Sequence, residues 1–231
     1  MRRHVAIAAI SLCACAPVAP VNEPIDGVVE QWLSLVRSGT VDESALHEKA
    51  QLVNTSGVVV GSDNIRATVA AVSIAPTVLI DAHHCVGKMR TTSGSLFFVR
   101  SNCDGKIETI LNFENAIEVT PSDTLRAYQD AWNEAQPASK LEGGFHADGV
   151  YVDPTVDAHG RTALVKAIGD FRRQFQGATL ASAPTIKLLG DRNFAFDWDI
   201  EMRGDTIHGF DVGAFADNGQ VGFIAGFFSR P

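Results

Sequence analysis

The chain repeats itself, and that constrains its fold more than anything else in the sequence. Trp32 sits at the centre of an apolar helical pattern over about residues 26–38, and Trp132 at the centre of another over about residues 122–135. In the second pattern Leu125, Tyr128, Ala131, Trp132 and Ala135 follow the i, i+3, i+4, i+7 spacing of a helix with one buried face. Ser122 supplies an N-cap there, and Asp123 suits the first turn. Further on, SGVVVGSDNIRATVAAV (56–72) parallels GVYVDPTVDAHGRTALVKAI (149–168), with Gly61 and Ile65 answered by Gly160 and Leu164. Ala75-Pro76-Thr77-Val78 returns as Ala183-Pro184-Thr185-Ile186. Both copies end in strands: TVLIDAHHCVGKM, SLFFVRS and KIETILNFENAIEV in the first, NFAFDWDIEMR, TIHGFDVGAFA and QVGFIAGFF in the second. Ser93-Gly94, Asp104-Gly105, Gly204-Asp205 and Asn218-Gly219 supply the turns between them. Helices followed by a run of antiparallel strands make an α+β order, and each copy has the length of an ordinary domain.

Several motifs recur along the second copy: Tyr128-x-x-x-Trp132-Asn133-Glu134, Asp148-Gly149-Val150-Tyr151-Val152-Asp153-Pro154, Gly160-Arg161-x-Ala163-Leu164, Phe171 with Phe175-x-Gly177, Gly209-x-Asp211-Val212 and Gly226-Phe227-Phe228. In these, over nearly all of residues 121–229, the chain resembles the SnoaL-like branch of the nuclear transport factor 2-like superfamily. The first copy keeps the outline with fewer of the letters. The resemblance implies two tandem cone-shaped domains, over residues 25–120 and 121–231, each a curved antiparallel sheet wrapped on helices with a pocket at the wide end. That superfamily holds ketosteroid isomerase, scytalone dehydratase, polyketide cyclases and many non-catalytic binding domains, so the resemblance implies a pocket rather than a reaction.

Residues 1–15 read as a lipoprotein-type signal segment. Met1-Arg2-Arg3-His4 is basic, Val5 to Leu12 is apolar but too short to span a bilayer, and Leu12-Cys13-Ala14-Cys15 resembles a lipobox with Cys15 as the lipidated residue. The alternative is plain secretion. Residues 16–24, rich in Pro and small side chains, form a tether. The expected address is the bacterial cell envelope, with membrane contact only through the N-terminal lipid. A formal charge of −8 excludes a nucleic-acid partner. In an oxidising compartment Cys85 and Cys103 are expected to form one disulfide, although a simple hairpin sets Cys85 opposite residue 100 or 101; the alternative is two buried thiols.

Candidate chemistry centres on Asp153. Alternation places Tyr151 and Asp153 on one strand face, where a carboxylate near Tyr128, Trp132 and Trp198 would be desolvated and drawn toward general-base behaviour. The alternative is a strand-ending Asp that accepts backbone N–H groups of the next loop, with Pro154 stopping the strand. Asp211 lies in the shared Gly-x-Asp-Val stretch, and its flanking glycines leave room for a ligand or a bend. If both carboxyls face one apolar pocket, one ionises as base while the other stays protonated. His208 alternates onto the opposite face from Asp211 and reads as a surface residue. Asp81, His83 and Cys85 share a strand face but are spaced too widely to chelate one ion, so no metal is expected, and no cofactor motif is present. In the first copy SGVVVG stands against the Asp-Pro strand, leaving nothing to match Asp153.

The expectation is an exported lipoprotein that binds a small, largely apolar organic molecule in the second domain. Catalytic candidates are Asp153 and Asp211, and ligand-binding candidates are Tyr128, Trp132, Tyr151 and Trp198. One rival is a lyase, isomerase or cyclase with Asp153 as general base; another is a non-catalytic structural or partner-binding module. The two sheets are expected to pack together within the chain as a pseudo-dimer. Phe97, Ile110 and Phe113 with Phe223 and Phe227 are candidates for that interface or for the cone cores.

Overall fold

The computed structural model describes residues 46–71, 77–91, 96–101 and 106–228. The expected signal segment with Cys15, the expected tether, the helical pattern around Trp32 and Cys103 lie outside the described residues. The first domain contains β1 (Leu46–Asn54), β2 (Gly57–Val60), α1 (Ser62–Ala71), β3 (Thr77–His83), β4 (Val86–Thr91), β5 (Leu96–Ser101) and β6 (Ile107–Asn112). After β7 (Ile117–Val119), the second domain contains α2 (Asp123–Ala131), α3 (Ala138–Gly144), β8 (Phe145–Asp153), β9 (Val156–His159), α4 (Arg161–Gln174), β10 (Thr179–Ala181), β11 (Ile186–Leu189), β12 (Asn193–Met202), β13 (Asp205–Phe215) and β14 (Val221–Phe228).

One sheet has the order β2-β1-β6-β5-β4-β3; the other has β7-β11-β12-β13-β14-β8-β9, with β10 paired to β12. The two orders are the same path drawn twice, and β1 on β6 and β8 on β14 are the only parallel pairings among the described strands. The architecture is thus α+β with two tandem sheet-and-helix units. The repeat holds to single hydrogen bonds: Gly61 N–H donates to the Ala50 carbonyl at 2.9 Å, and Gly160 N–H to the Gly149 carbonyl at 2.8 Å. Both glycines have positive φ, 92° and 85°, a conformation that a Cβ would disfavour and that sets the entry angle of the following helix.

Three sequence expectations are corrected by the strand pairing. SGVVV is the counterpart of β9, not of the Asp-Pro strand: β1 ends on the pair Asn54 with Gly57, as β8 ends on Asp153 with Val156, so the residue that matches Asp153 is Asn54. The run TVLIDAHHCVGKM is two strands, broken at His84 and Cys85, whose φ values of 42° and 65° make the two-residue hairpin turn between β3 and β4. Cys85 therefore sits in a turn, disulfide-bonded to a residue outside the described ones, and its carbonyl accepts from Ser101 N–H at 2.9 Å. Finally β7, read as the end of the first domain, pairs with β11 at the edge of the second sheet.

Each sheet has two buried faces. In the second domain one face packs on α2, α3 and α4 through Leu125, Tyr128, Leu141, Phe145, Leu164, Ile168, Phe194, Phe196, Trp198 and Ile224. The other face meets the first sheet. A shared core joins Val53, Val86, Leu96, Phe98, Leu111 and Phe113 to Val152, Leu189, Ala195, Phe210, Val212, Ala225 and Phe227. Phe98 lies 6.1 Å from Phe223 and 6.3 Å from Phe227, ring to ring, while the Lys88 ammonium stands 5.0 Å from the Phe210 ring and the Arg100 guanidinium 5.3 Å from that of Phe223. Of the candidate interface residues, Phe113, Phe223 and Phe227 lie in this shared core; Phe97 and Ile110 are buried but alternate onto the other face of the first sheet.

Candidate functional site

The pleat brings one row of side chains onto the helix-facing side of the second sheet. Register pairs Phe196 with Asp211 and Asp211 with Gly226, and Asp153 lies beyond Gly226 on β8. A Cβ added to Gly226 would sit 3.0 Å from Asp211 Oδ1 and 3.4 Å from both the Asp153 Cβ and the Tyr151 hydroxyl. Gly226 is therefore the space across which the two carboxyls face each other. Asp153 and Asp211 are each only 4% exposed.

The two acids are held differently. Asp153 Oδ1 accepts three bonds from its own turn: Thr155 N–H at 2.6 Å, the Thr155 hydroxyl at 2.7 Å and Val156 N–H at 2.8 Å. Its Oδ2 accepts from the Tyr151 hydroxyl at 2.7 Å. Asn54 performs the smaller version of this task in the first domain, accepting Ser56 N–H at 2.8 Å. Asp153 is thus buried on the helix-facing side of the sheet and also closes the turn. Its lone pairs are largely engaged, which argues against its expected role as general base.

Asp211 belongs to no turn. Trp198 Nε1–H donates to Oδ1 at 2.7 Å, and the Tyr128 hydroxyl to Oδ2 at 3.3 Å. The indole reaches it by lying flat over Gly209, its register partner, where any Cβ would overlap the ring. The Phe194 ring covers Gly213 in the same way. The glycines that flank Asp211 thus make room for aromatic rings rather than for a ligand. Burial pushes the Asp211 carboxyl up from 3.8 to about 7; the Asp153 charge adds to the rise, while the Trp198 and Tyr128 donors and Lys88 oppose it. Burial, with the neighbouring carboxylates, also raises the Tyr128 and Tyr151 phenols well above 10, so both remain donors.

The aromatic walls complete the site. Trp132 caps the C-terminus of α2, 5.4 Å from the Tyr151 ring and 5.6 Å from that of Phe171, and Phe171 leads on to Phe175 at 5.3 Å. Trp198 meets Phe228 at 5.9 Å. Phe171, Phe175 and Phe228 are half-buried, so these ring paths run from the acids toward the surface. The surface grooves along α3 and α4, of about 560 and 420 Å³, contain neither acid. His208 lies outside the site, exposed and 2.6 Å from Asp199. Among the described residues, no group of three or more His, Cys, Asp or Glu could hold a metal ion.

Among the described residues the first domain does not repeat this arrangement. Equivalent register places Leu52 where the second domain has Tyr151 and Phe97 where it has Asp211. Sequence reasoning gave no site role to Thr155, Gly226 or Gln129. The first two become visible only through pairing. The third carried a signal, a polar side chain in the apolar stripe of α2.

No family model matches the chain, and no curated protein matches it. Among solved structures, a SnoaL-like family protein from Agrobacterium tumefaciens is similar at 23% identity, over 46% of this chain and 95% of that one, with a TM-score of 0.43. A protein with a ketosteroid isomerase-like fold from Catenulispora acidiphila, in complex with trimethylamine, is similar at 17% identity, over 48% and 88% of the chains, with a TM-score of 0.41. An NTF2-like protein from Cytophaga hutchinsonii is similar at 12% identity, over 48% and 93%, with a TM-score of 0.35. Each of these similarities spans about half of this chain.

Proposed function

We propose that this chain is an exported lipoprotein whose second domain binds a small, largely apolar organic molecule against Asp211. The observation that carries the reading is a carboxyl that, among the described residues, belongs to no turn and no salt bridge, buried among Phe196, Trp198, Tyr128 and Trp132 and poised near neutrality. A second reading is favoured by the same group. A carboxyl titrating at about 7, with a Trp and a Tyr donor fixing its oxygens, suits proton transfer at a carbon beside a carbonyl. In that reading Asp211 takes the proton, and Asp153, locked by its turn, holds the neighbouring strand and Tyr151 in place. The first domain serves as a sheet-to-sheet scaffold, making the chain a pseudo-dimer that is monomeric in solution.

Proton transfer is tested by incubating the protein with a cyclic ketone in D₂O and following loss of the α-proton signal by NMR. Exchange by wild type and by Asp153→Asn but not by Asp211→Asn supports it; equal exchange by wild type and Asp211→Asn contradicts it. Binding without turnover predicts no exchange, with ligand-induced shifts of the Trp198 indole N–H. Changing Cys15 to Ser should release the protein from membranes; unchanged fractionation with an unmodified mature N-terminus contradicts the anchor.

A further inference from the structure

Gln129 is 1% exposed, and among the described residues neither its Nε2 nor its Oε1 meets a hydrogen-bond partner. Buried amides are rarely left so, because an unpaired donor and acceptor lose the water they bonded in the unfolded chain. Position 129 follows Leu125 by four residues and precedes Trp132 by three, the spacings that stack side chains along one helix face. Leu125 and Trp132 both belong to the core between α2 and the second sheet, so Gln129 stands on the stripe that faces this core.

Its neighbours on the helix show what such an amide can do. Tyr128, one residue earlier, sends its hydroxyl to Asp211. Asn133, one turn later, has the same pair of groups fully matched: its Nδ2 donates to the Leu180 carbonyl at 2.8 Å, and its Oδ1 accepts from Leu180 N–H at 2.8 Å. Asn133 thus reads both the donor and the acceptor of a peptide group. Gln129 offers an equivalent edge to the interior.

We infer that Gln129 is a specificity-determining residue that reads a carboxamide-type edge, an adjacent carbonyl acceptor and N–H donor, on the apolar ligand of the second domain. This rests on the binding reading above and adds the ligand class. A site built to pair such groups discriminates strongly against an analogue lacking one of them, because the protein amide is then left half-paired. An apolar residue here would bind an apolar ligand without that discrimination.

Benzamide and acetophenone share a ring and a carbonyl and differ by NH₂ against CH₃, and they serve as probes of the full chain. Wild type is expected to bind benzamide about tenfold or more tightly than acetophenone. Gln129→Met should abolish that preference while melting at or above the wild-type temperature, since it removes an unpaired amide. A preference retained in Gln129→Met, or equal affinity of wild type for both probes, overturns this inference and leaves the binding reading standing. A Gln129→Met chain that fails to fold, or melts well below wild type, also overturns it, because the amide would then be a structural group. Binding of neither probe overturns both readings.

Discussion

The His83 imidazole, on the last residue of β3, donates from Nε2 to the Gly226 carbonyl of β14 at 2.7 Å. The bond crosses from one domain to the other, and His83 also rests 4.9 Å from the Phe227 ring. Gly226 is the residue between the two carboxyls, so the first domain grips the strand that spaces them. His83→Phe keeps a ring against Phe227 but removes this donor to the Gly226 carbonyl. Urea unfolding should show a loss of about 1–3 kcal/mol. A variant as stable as wild type would show that the bond contributes nothing.

Asp153 and Asn54 occupy equivalent hairpin ends, which gives an internal control. Asp153→Asn retains an oxygen for the turn and should stay close to wild-type stability. Asp153→Ala releases Thr155, Val156 and Tyr151 and should cost about 2–4 kcal/mol, against about 1 kcal/mol for Asn54→Ala with its single bond. Equal losses at the two positions would contradict the difference drawn between them.

What was legible follows from what local chemistry marks. Gly61 and Gly160 stand out because the same backbone conformation is needed at both, and glycine supplies it. Tyr151 and Asp153 were placed on one face by parity alone. The hairpin turn at His84 and Cys85 was hidden because neither residue is a turn former; a disulfide on Cys85 stands where Asn-Gly would have announced it. β1 escaped notice because LHEKAQLVN buries Leu46, Ala50, Leu52 and Val53 without clean alternation, its register shifting between Leu46 and Gln51. The bond from Trp198 to Asp211 depends on which strands pair and in what register, which no local pattern records. The different settings of Asp153 and Asp211 were hidden for the same reason: spacing shows which face a carboxyl takes, but not how many donors meet it there.

Gly209→Ala puts a methyl into the Trp198 ring. The indole must leave its place over β13 and with it the bond to Asp211. A loss of about 1–3 kcal/mol is expected, with a moved Trp198 indole N–H resonance. An unmoved resonance would mean that the ring does not depend on that glycine.

Asp211 should leave a mark on stability. Its folded pKa of about 7 lies above the 3.8 of the unfolded chain, so between these values the folded state holds the proton more tightly. The group's contribution is full below about pH 4, is lost as pH rises toward 7 and is flat above, with a slope of at most about 1.4 kcal/mol per pH unit. Asp211→Asn should remove that slope and equal or exceed wild type at pH 8. A slope unchanged in the variant would assign the pH dependence to other groups.

The titration of Asp211 itself is the most direct measurement. Carbon-13 detection of its side-chain carboxyl across pH 3–9 should give a midpoint of about 7 in wild type, with the Trp198 indole N–H reporting the same midpoint. A midpoint near 3.8 would place Asp211 among ordinary carboxylates and contradict the proton-transfer role proposed for it.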